Sequence, residues 1–402
     1  MIVSEIAVQI RGRIPASAIR AEDYVSTDNM RPNFGGIATS SSMPQSGNVT
    51  AYQVGDILLS NIRPYFRKTW LATHSGGCNA DVLCIRANPK KCLPQYLYYL
   101  FTTDNFVTDY LKSCKGAKMP RGDVNRLLNY EFNLPDLPTQ LRIAGVLGSI
   151  DEKIELNRKK IAELEALAKV IYDYWFVQFD FPDANGKPYK SSGGKMVWNE
   201  QLKREVPEGW EVKPLGEIAL FSNGINYTTT NQSGKKYRIV NVRDISAANL
   251  FIHGRDLSEI TLPSVFAEKY VIPANCILIA RSGIPGAIRL IANPRDTLYC
   301  GFIIICRPTI ADSRPYLTYF MKSLEGSGAT HKDSSILNNV SQDMLKRIYI
   351  PMPDDVTLLS FRSLMDDLFE HIISLQTGIE ETTILRDTLL PLLMNGQVEV
   401  AG

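Results

Sequence analysis

The 402-residue chain repeats itself at an offset near 215 residues. An internal repeat that long restricts the fold to two copies of one domain-sized unit. Asp56-Ile57-Leu58-Leu59-Ser60-Asn61 answers Cys276-Ile277-Leu278-Ile279-Ala280-Arg281. Ile6-Ala7-Val8-Gln9-Ile10-Arg11-Gly12 answers Ile218-Ala219-Leu220-Phe221-Ser222-Asn223-Gly224. Gly116-Ala117 answers Gly328-Ala329, and Phe132-Asn133-Leu134-Pro135 answers Ile348-Tyr349-Ile350-Pro351. Identity is low, and the shared order of the matches carries the repeat. The offset drifts between 212 and 220, as small loop insertions would make it do.

Each copy opens with short apolar runs rich in β-branched residues: 56–61, 80–86, 238–242, 276–281 and 302–306. Gly, Pro and Asn punctuate them, so they read as strands. Helical stretches follow at 94–101 and 104–114 in the first copy and 315–324 in the second. Each block is therefore expected to be α+β, with a curved, mostly antiparallel sheet plus helices.

After each block comes a long helical pattern. In the first, Leu147, Ile150, Ile154, Asn157, Ile161, Leu164, Ala168 and Ile171 alternate steps of three and four, which is a heptad seam. A helix from near Thr139 to near Phe176 would be roughly 55 Å long at about 1.5 Å per residue. Pro138 precedes it and Thr139 is the expected cap. The second copy places Phe361, Met365, Leu368, Ile372, Leu375, Ile379, Thr382, Arg386 and Leu389 at the same steps, with Pro391 and Gly396 expected to close it. Two such helices in a tandem repeat suit antiparallel coiled-coil pairing, with Asn157 as a polar register residue. Ordinary core helices, each inside its own domain, are the plainer alternative. The aromatic run Tyr172, Tyr174, Trp175, Phe176, Phe179 and Phe181 reads as core at the helix end, with partner docking as the other reading.

Net charge is only +2, but it is unevenly spread. Residues 1–138 carry +4, 139–180 carry −1, 181–206 carry +2, 207–353 carry +4 and 354–402 carry −7. Two basic blocks alternating with neutral or acidic helices fit two polyanion-binding units on a scaffold that meets something else. The seven cysteines form no CxxC pair, which disfavours a disulfide framework or zinc site and fits reduced thiols in a cytoplasm. No signal peptide or membrane span is expected.

Motifs for chemistry are missing. There is no GxxxxGK[ST] phosphate loop, no GxGxxG after a strand, and no run of the kind that holds a flipped base in a DNA amino-methyltransferase. His74, His253, His331 and His371 stand far apart, without metal or nucleophile spacing. No catalytic residue, metal site or bound cofactor is expected.

The layout of block, long helix, block, long helix resembles the specificity subunit of type I restriction–modification systems. The resemblance is carried by "LPDLPTQLRIAGVLGSIDEKIELNRKKIAELEAL", the exit "YDYWFVQFDFP", the entry "VPEGWEVKPLGEIA" and the terminal "LRDTLLPLLMNGQVEV". It implies two target recognition domains, at 1–138 and 207–353, separated by conserved spacer helices at 139–180 and 354–402, with a linker at 181–206. Each recognition domain would read one half of a bipartite double-stranded DNA site. The helices would set the spacing and bind two methyltransferase subunits, which motor and nuclease restriction subunits join in host defence. S-adenosylmethionine, and ATP with Mg for restriction, would belong to the partners. The first block departs from the pattern: it has no counterpart of Gly209-Trp210-Glu211-Val212.

Base readout needs Arg, Lys, Asn and Gln at groove edges, and backbone contacts need Lys and Arg. "NIRPYFRK" offers Asn61, Arg63, Tyr65, Arg67 and Lys68 after a strand; its counterpart "ARSGIPGAIR" offers Arg281, Ser282 and Arg289. "KGAKMPRGD" offers Lys115, Lys118 and Arg121, matched by Thr330, His331 and Lys332 in "GATHKDSS". "TTTNQSGKKYR" adds Asn231, Gln232, Lys235, Lys236 and Arg238. The competing function is a protein-binding adaptor with repeated domains on a coiled-coil stalk.

Overall fold

The computed structural model describes residues 1–402 apart from 41, 117, 228–233, 253, 255–256, 293, 326–339 and 401–402. It divides into two compact units: Met1–Glu155 with Glu381–Gly402, and Leu156–Glu380.

The first unit holds an antiparallel sheet in the order Ala7–Gln9, Val82–Ala87, Ile57–Ser60, Thr69–Leu71. A second sheet runs Arg13–Pro15, Asn48–Tyr52, Gly76–Cys78, Tyr24–Val25, with only its last pair parallel. Helices Pro94–Thr102 and Asp104–Leu111 cover the first sheet, and Ile57, Ile85, Tyr96, Leu97, Phe101 and Phe106 are its buried centre. Thr103 separates the two helices because its hydroxyl accepts the Phe106 amide at 3.3 Å and restarts the chain as an N-cap.

The second unit repeats that design. Its main sheet runs Ala219–Asn223, Ile303–Pro308, Ile277–Ala280, Ile288–Ile291, then Phe251–Ile252 added in parallel. The first four strands match the first unit's sheet strand for strand. Helix Arg314–Ser323 answers Pro94–Thr102. A second sheet of Ser258–Leu262, Lys235–Val240 and Thr297–Tyr299 completes it. Small polar devices recur as well. The Ser26 amide donates to Asn29 Oδ1 (2.7 Å), and 215 residues on the Asn241 amide donates to Asp244 Oδ2 (2.8 Å). The first block does have an entry pairing after all: Ile2 bridges Glu131 much as Pro214 pairs with Tyr349 at the end of Glu211–Pro214.

The long helices run Leu137–Tyr172 and Asp355–Met394. Their caps differ from expectation. Asp136, not Thr139, starts the first: its Oδ1 accepts the Thr139 amide (3.0 Å), and Pro138 is tolerated in the first turn, where amides lack helical partners anyway. Asp354 does the same for Thr357 (2.8 Å). These two carboxylates fix the local offset at 218, so Pro135 matches Pro353 rather than Pro351. The first helix ends in a π-turn, Asp173–Val177. Pro391 does not close the second helix but lies within it; Gly396, in the left-handed region at φ 68°, follows its end.

Antiparallel pairing is visible in each unit separately. In the second, Ile161, Leu164 and Ala168 share one core with Phe361, Met365, Leu368, Ile372, Leu375 and Ile379, and Asn157 faces Gly378. Trp175, Phe176, Phe179 and Phe181 are buried in the same core against Trp210 and Tyr316, which settles the aromatic run as packing; Tyr174 alone of it stays exposed. In the first unit, Ile143 and Leu147 pack with Leu389, Leu390, Leu393 and Met394; Ile150 and Ile154 are buried farther along the same helix. The segment 181–206 is no bare linker: Met196–Asn199 and Arg204–Pro207 form a hairpin.

The repeat is broken at one polar point. Tyr99 donates to Asp151 Oδ2 (2.8 Å), and Arg386 Nη1 reaches Asp151 Oδ1 (3.2 Å), tying the first α+β block to both helices. At the corresponding places the second unit has Tyr319, Phe369 and Ala168. There the Tyr319 hydroxyl is buried without a partner and its ring stacks on Phe369. The same substitution should thus act oppositely in the two units. Tyr99→Phe should destabilise by about 1 kcal/mol, whereas Tyr319→Phe should be neutral or stabilise by up to about 1 kcal/mol, because it deletes an unsatisfied buried group. Calorimetric melting of the two variants checks the pair; equal losses would contradict it.

Candidate nucleic-acid interface

In the first unit two of the loops singled out by sequence lie side by side. Strand Ile57–Ser60 ends, the chain turns through Pro64–Phe66, and it returns at Lys68, whose carbonyl accepts the Ser60 amide (2.9 Å). The second loop closes on itself, with Lys115 and Arg121 exchanging backbone bonds of 3.0 Å each. It is stitched to the first by Arg63 N to Pro120 O (2.8 Å), Gly122 N to Asn61 O (3.1 Å) and Arg63 Nη2 to Lys118 O (3.4 Å). The Tyr110 hydroxyl donates to Asn61 Oδ1 (2.6 Å) beneath them. Gly122 is required here: a Cβ would lie 2.2 Å from the Tyr110 ring. A third loop, absent from the sequence reading, joins from the far side. Asn33 N donates to Phe66 O and Phe34 N to Arg67 O, both at 2.9 Å.

Exposed Lys115, Lys118 and Arg121 make the rim of this cluster cationic, although Arg121 pairs with Asp81 (2.8 Å). Arg67 is half-buried and bound to Asp104 (2.6 Å). Lys68 is tied to the Thr27 carbonyl (2.6 Å), and burial pulls its pKa down. Asn61, Arg63, Arg67 and Lys68 therefore hold the loops in shape, while Lys115, Lys118 and Arg121 present charge outward. Tyr65, Phe66 and Met119 are exposed at the tips. Of these only Tyr65 stands among the polar candidates that the sequence offers; Phe66 and Met119 carry no charge or amide to mark them.

The second unit builds the same junction. Arg281 N donates to Phe302 O (2.9 Å) as Asn61 N donates to Asp81 O (2.8 Å), and Val340 N donates to Arg281 O (2.9 Å) as Gly122 N donates to Asn61 O. The Arg281 side chain turns to the Gly301 carbonyl (3.0 Å), beside Ser282 in the same turn. Thr330, His331 and Lys332 lie outside the described residues, as do Asn231 and Gln232. Lys235, Lys236 and Arg238 belong to a strand rather than a loop. Lys235 pairs with Asp296 (2.5 Å), Lys236 with Glu259 (3.7 Å), and Arg238 with the Arg295 carbonyl (3.0 Å).

Arg289 is a correction. It lies on strand Ile288–Ile291, is 8% exposed, and is consumed by the carbonyls of Ile245, Ala248 and Ile288 and by Glu325. A guanidinium so buried, with Nε and Nη1 both engaged, braces the domain rather than lying on a groove-facing loop.

Burial pushes Cys78 and Cys92 up to about 12, so neither is a nucleophilic thiolate near neutral pH. Among the described residues, no group of three His, Cys, Asp or Glu converges on a metal-sized space, and no helix is long and apolar enough to cross a membrane.

Residues 19–166 match the family model described as the type I restriction modification DNA specificity domain. The chain is 27% identical over 311 residues to the type I restriction enzyme MjaIX specificity subunit of Methanocaldococcus jannaschii, covering 76% of this chain and 69% of that one. It is 22% identical over 416 aligned positions to the HindI specificity subunit of Haemophilus influenzae, covering 87% of each. The crystal structure of the type I restriction–modification S subunit from M. genitalium shares the fold, with a TM-score of 0.57 at 16% identity over 98% of this chain and 95% of that one. Residues 19–166 thus carry a match to the type I restriction modification DNA specificity domain, and the chain as a whole, with its duplicated sheet and paired helices, is similar to type I restriction enzyme specificity subunits.

Proposed function

We propose that this chain is the non-catalytic DNA-recognition subunit of a type I complex, each of its two units reading one half of a bipartite site. The observation that carries this is the duplicated junction at the end of the same strand: Asn61 N to Asp81 O with Gly122 N to Asn61 O in the first unit, and Arg281 N to Phe302 O with Val340 N to Arg281 O in the second. A fold that repeats its loop platform and varies the side chains on it suits the reading of two different sequences. In the first unit Lys115, Lys118 and Arg121 supply the charge, and Asn61, Arg63, Arg67 and Lys68 the frame. In the second, Arg281 supplies the frame, while the segment of sequence bearing Thr330, His331 and Lys332 and the strand bearing Lys235, Lys236 and Arg238 supply the polar contacts. The paired helices set the spacing between half-sites.

Two methyltransferase subunits, bringing S-adenosylmethionine, dock on the helices, and restriction subunits with ATP and Mg join that core. Exposed leucines at matched positions favour two equivalent docking places: Leu141 and Leu359, and Leu167 and Leu385, each pair 218 residues apart.

The purified chain alone should transfer no methyl group from labelled S-adenosylmethionine, and should do so on its target only with its methyltransferase. Binding of that complex should weaken steeply as salt rises. Clear methylation by the isolated chain refutes the assignment; a complex that ignores DNA even at low salt leaves the adaptor reading.

Lys118→Glu with Arg121→Glu should weaken binding at one half-site by tenfold or more and leave assembly intact. Methylome sequencing of a host carrying the variant complex should show one half of the motif degraded and the other kept. Failed assembly would move that loop to a protein interface.

A further inference from the structure

The first unit's loop cluster is more strained and more apolar at its tip than a charge-reading surface needs to be. Among the described residues, eight non-glycine positions have positive φ, and four of them meet here: Asn33 (53°), Phe34 (59°), Arg63 (47°) and Arg67 (53°). Left-handed backbone is costly for side chains with a Cβ, and such strain gathers where a site fixes its shape in advance. The equivalent turn of the second unit uses Gly283 (77°) and Gly286 (83°), which adopt that conformation freely.

The strained arginines bracket a single turn, Pro64–Phe66, whose rings face solvent: Tyr65 is 49% exposed and Phe66 is 40% exposed. Their centroids are 4.7 Å apart. Met119, 50% exposed, comes from the adjoining loop. Apart from Tyr65, the backbone beneath is already engaged. Phe66 N and Arg67 N donate to Arg63 O and Pro64 O, Phe66 O and Arg67 O accept from the third loop, and Pro64 has no N–H. Such a tip can leave water at little polar cost. The two arginines are occupied below it, by Asp104 and by the Lys118 carbonyl, so the tip offers rings rather than charge. Ile284, 37% exposed, holds the corresponding place in the second unit.

We propose that Tyr65 and Phe66 form an apolar wedge that enters an opened base step in the half-site read by the first unit. This rests on the DNA-recognition reading above. The ligand is the π face of a nucleobase; the rim lysines take the flanking phosphates, and Arg63 and Arg67 are positioning residues. Pyrimidine–purine steps unstack most easily, so the wedged step is TA or CA/TG.

The test uses the full chain with its methyltransferase on the site identified by methylome sequencing. 2-Aminopurine is placed at each base in turn outside the methylated one. With the native chain, one step in the half-site assigned by the Lys118/Arg121 variant should brighten on binding. Tyr65→Ala with Phe66→Ala should abolish that signal and weaken binding about tenfold or more, with recognition of the other half-site unchanged. Phe66→Leu, which keeps an apolar tip, should retain the brightening, and unchanged melting of both variants excludes misfolding as the cause. No brightening outside the methylated base overturns the wedge, as does a double variant that binds like the native chain. So does a loss of affinity reproduced by replacing thymine with uracil without brightening, which would make the rings readers of a methyl edge. If the native complex binds no mapped site, the recognition reading itself has failed.

Discussion

The antiparallel meeting of two long helices underlies the rest. Neither helix could remain single in water, because a continuous apolar stripe covers one face of each. The first unit contributes Ile143 and Leu147 against Leu390 and Leu393; the second contributes Ile161 and Ala168 against Phe361 and Ile372. The recognition blocks grow from this seam, since helices Pro94–Thr102 and Arg314–Ser323 share its cores. A seam of hydrocarbon alone is permissive about register, and small polar features supply the discrimination. Asn157 faces Gly378 in one unit, and Asp151 takes Arg386 and Tyr99 in the other.

That last network also shows how duplicated units diverge. One copy keeps tyrosine, aspartate and arginine; the other keeps the tyrosine and surrounds it with phenylalanine and alanine. The two solutions have different logic. The first depends on every member finding its partner, and the second tolerates one orphaned hydroxyl within a stack of rings. The turns after the matched strands diverge in the same manner: glycines give one its shape at little cost, and arginines give the other a shape plus side chains that brace its neighbours.

Much of this was legible in the sequence. The paired heptad stripes are long periodic signals, strand 277–280 is a short unbroken apolar run between turn residues, and the repeat makes each copy a check on the other. Punctuation was harder to interpret. Pro391 looks like a stop, yet it sits where the helix needs only one more turn, so it forfeits a single hydrogen bond. Thr139 looks like a cap, but Asp136 reaches the orphan amides first. Arg289 looked like the end of a loop, because one sequence does not mark where a turn becomes a strand; two residues decide whether a guanidinium meets solvent or a domain interior. Phe66 and Met119 escaped notice because apolar residues at loop tips are indistinguishable, in sequence, from those that fold inward.

The first unit is assembled from both ends of the chain, and this bears on how the protein is made. Leu390, Leu393 and Met394, with Leu389 and Val400 beside them, fill a core whose remaining members are all synthesised before residue 148. On the ribosome that core stays open while some 240 further residues are added, whereas the second unit has all its sequence once residue 380 has emerged. Translation that aborts between residues 380 and 389 would therefore release a product whose later-made unit is sound and whose earlier-made unit displays an unfilled greasy cleft, a natural mark for quality control.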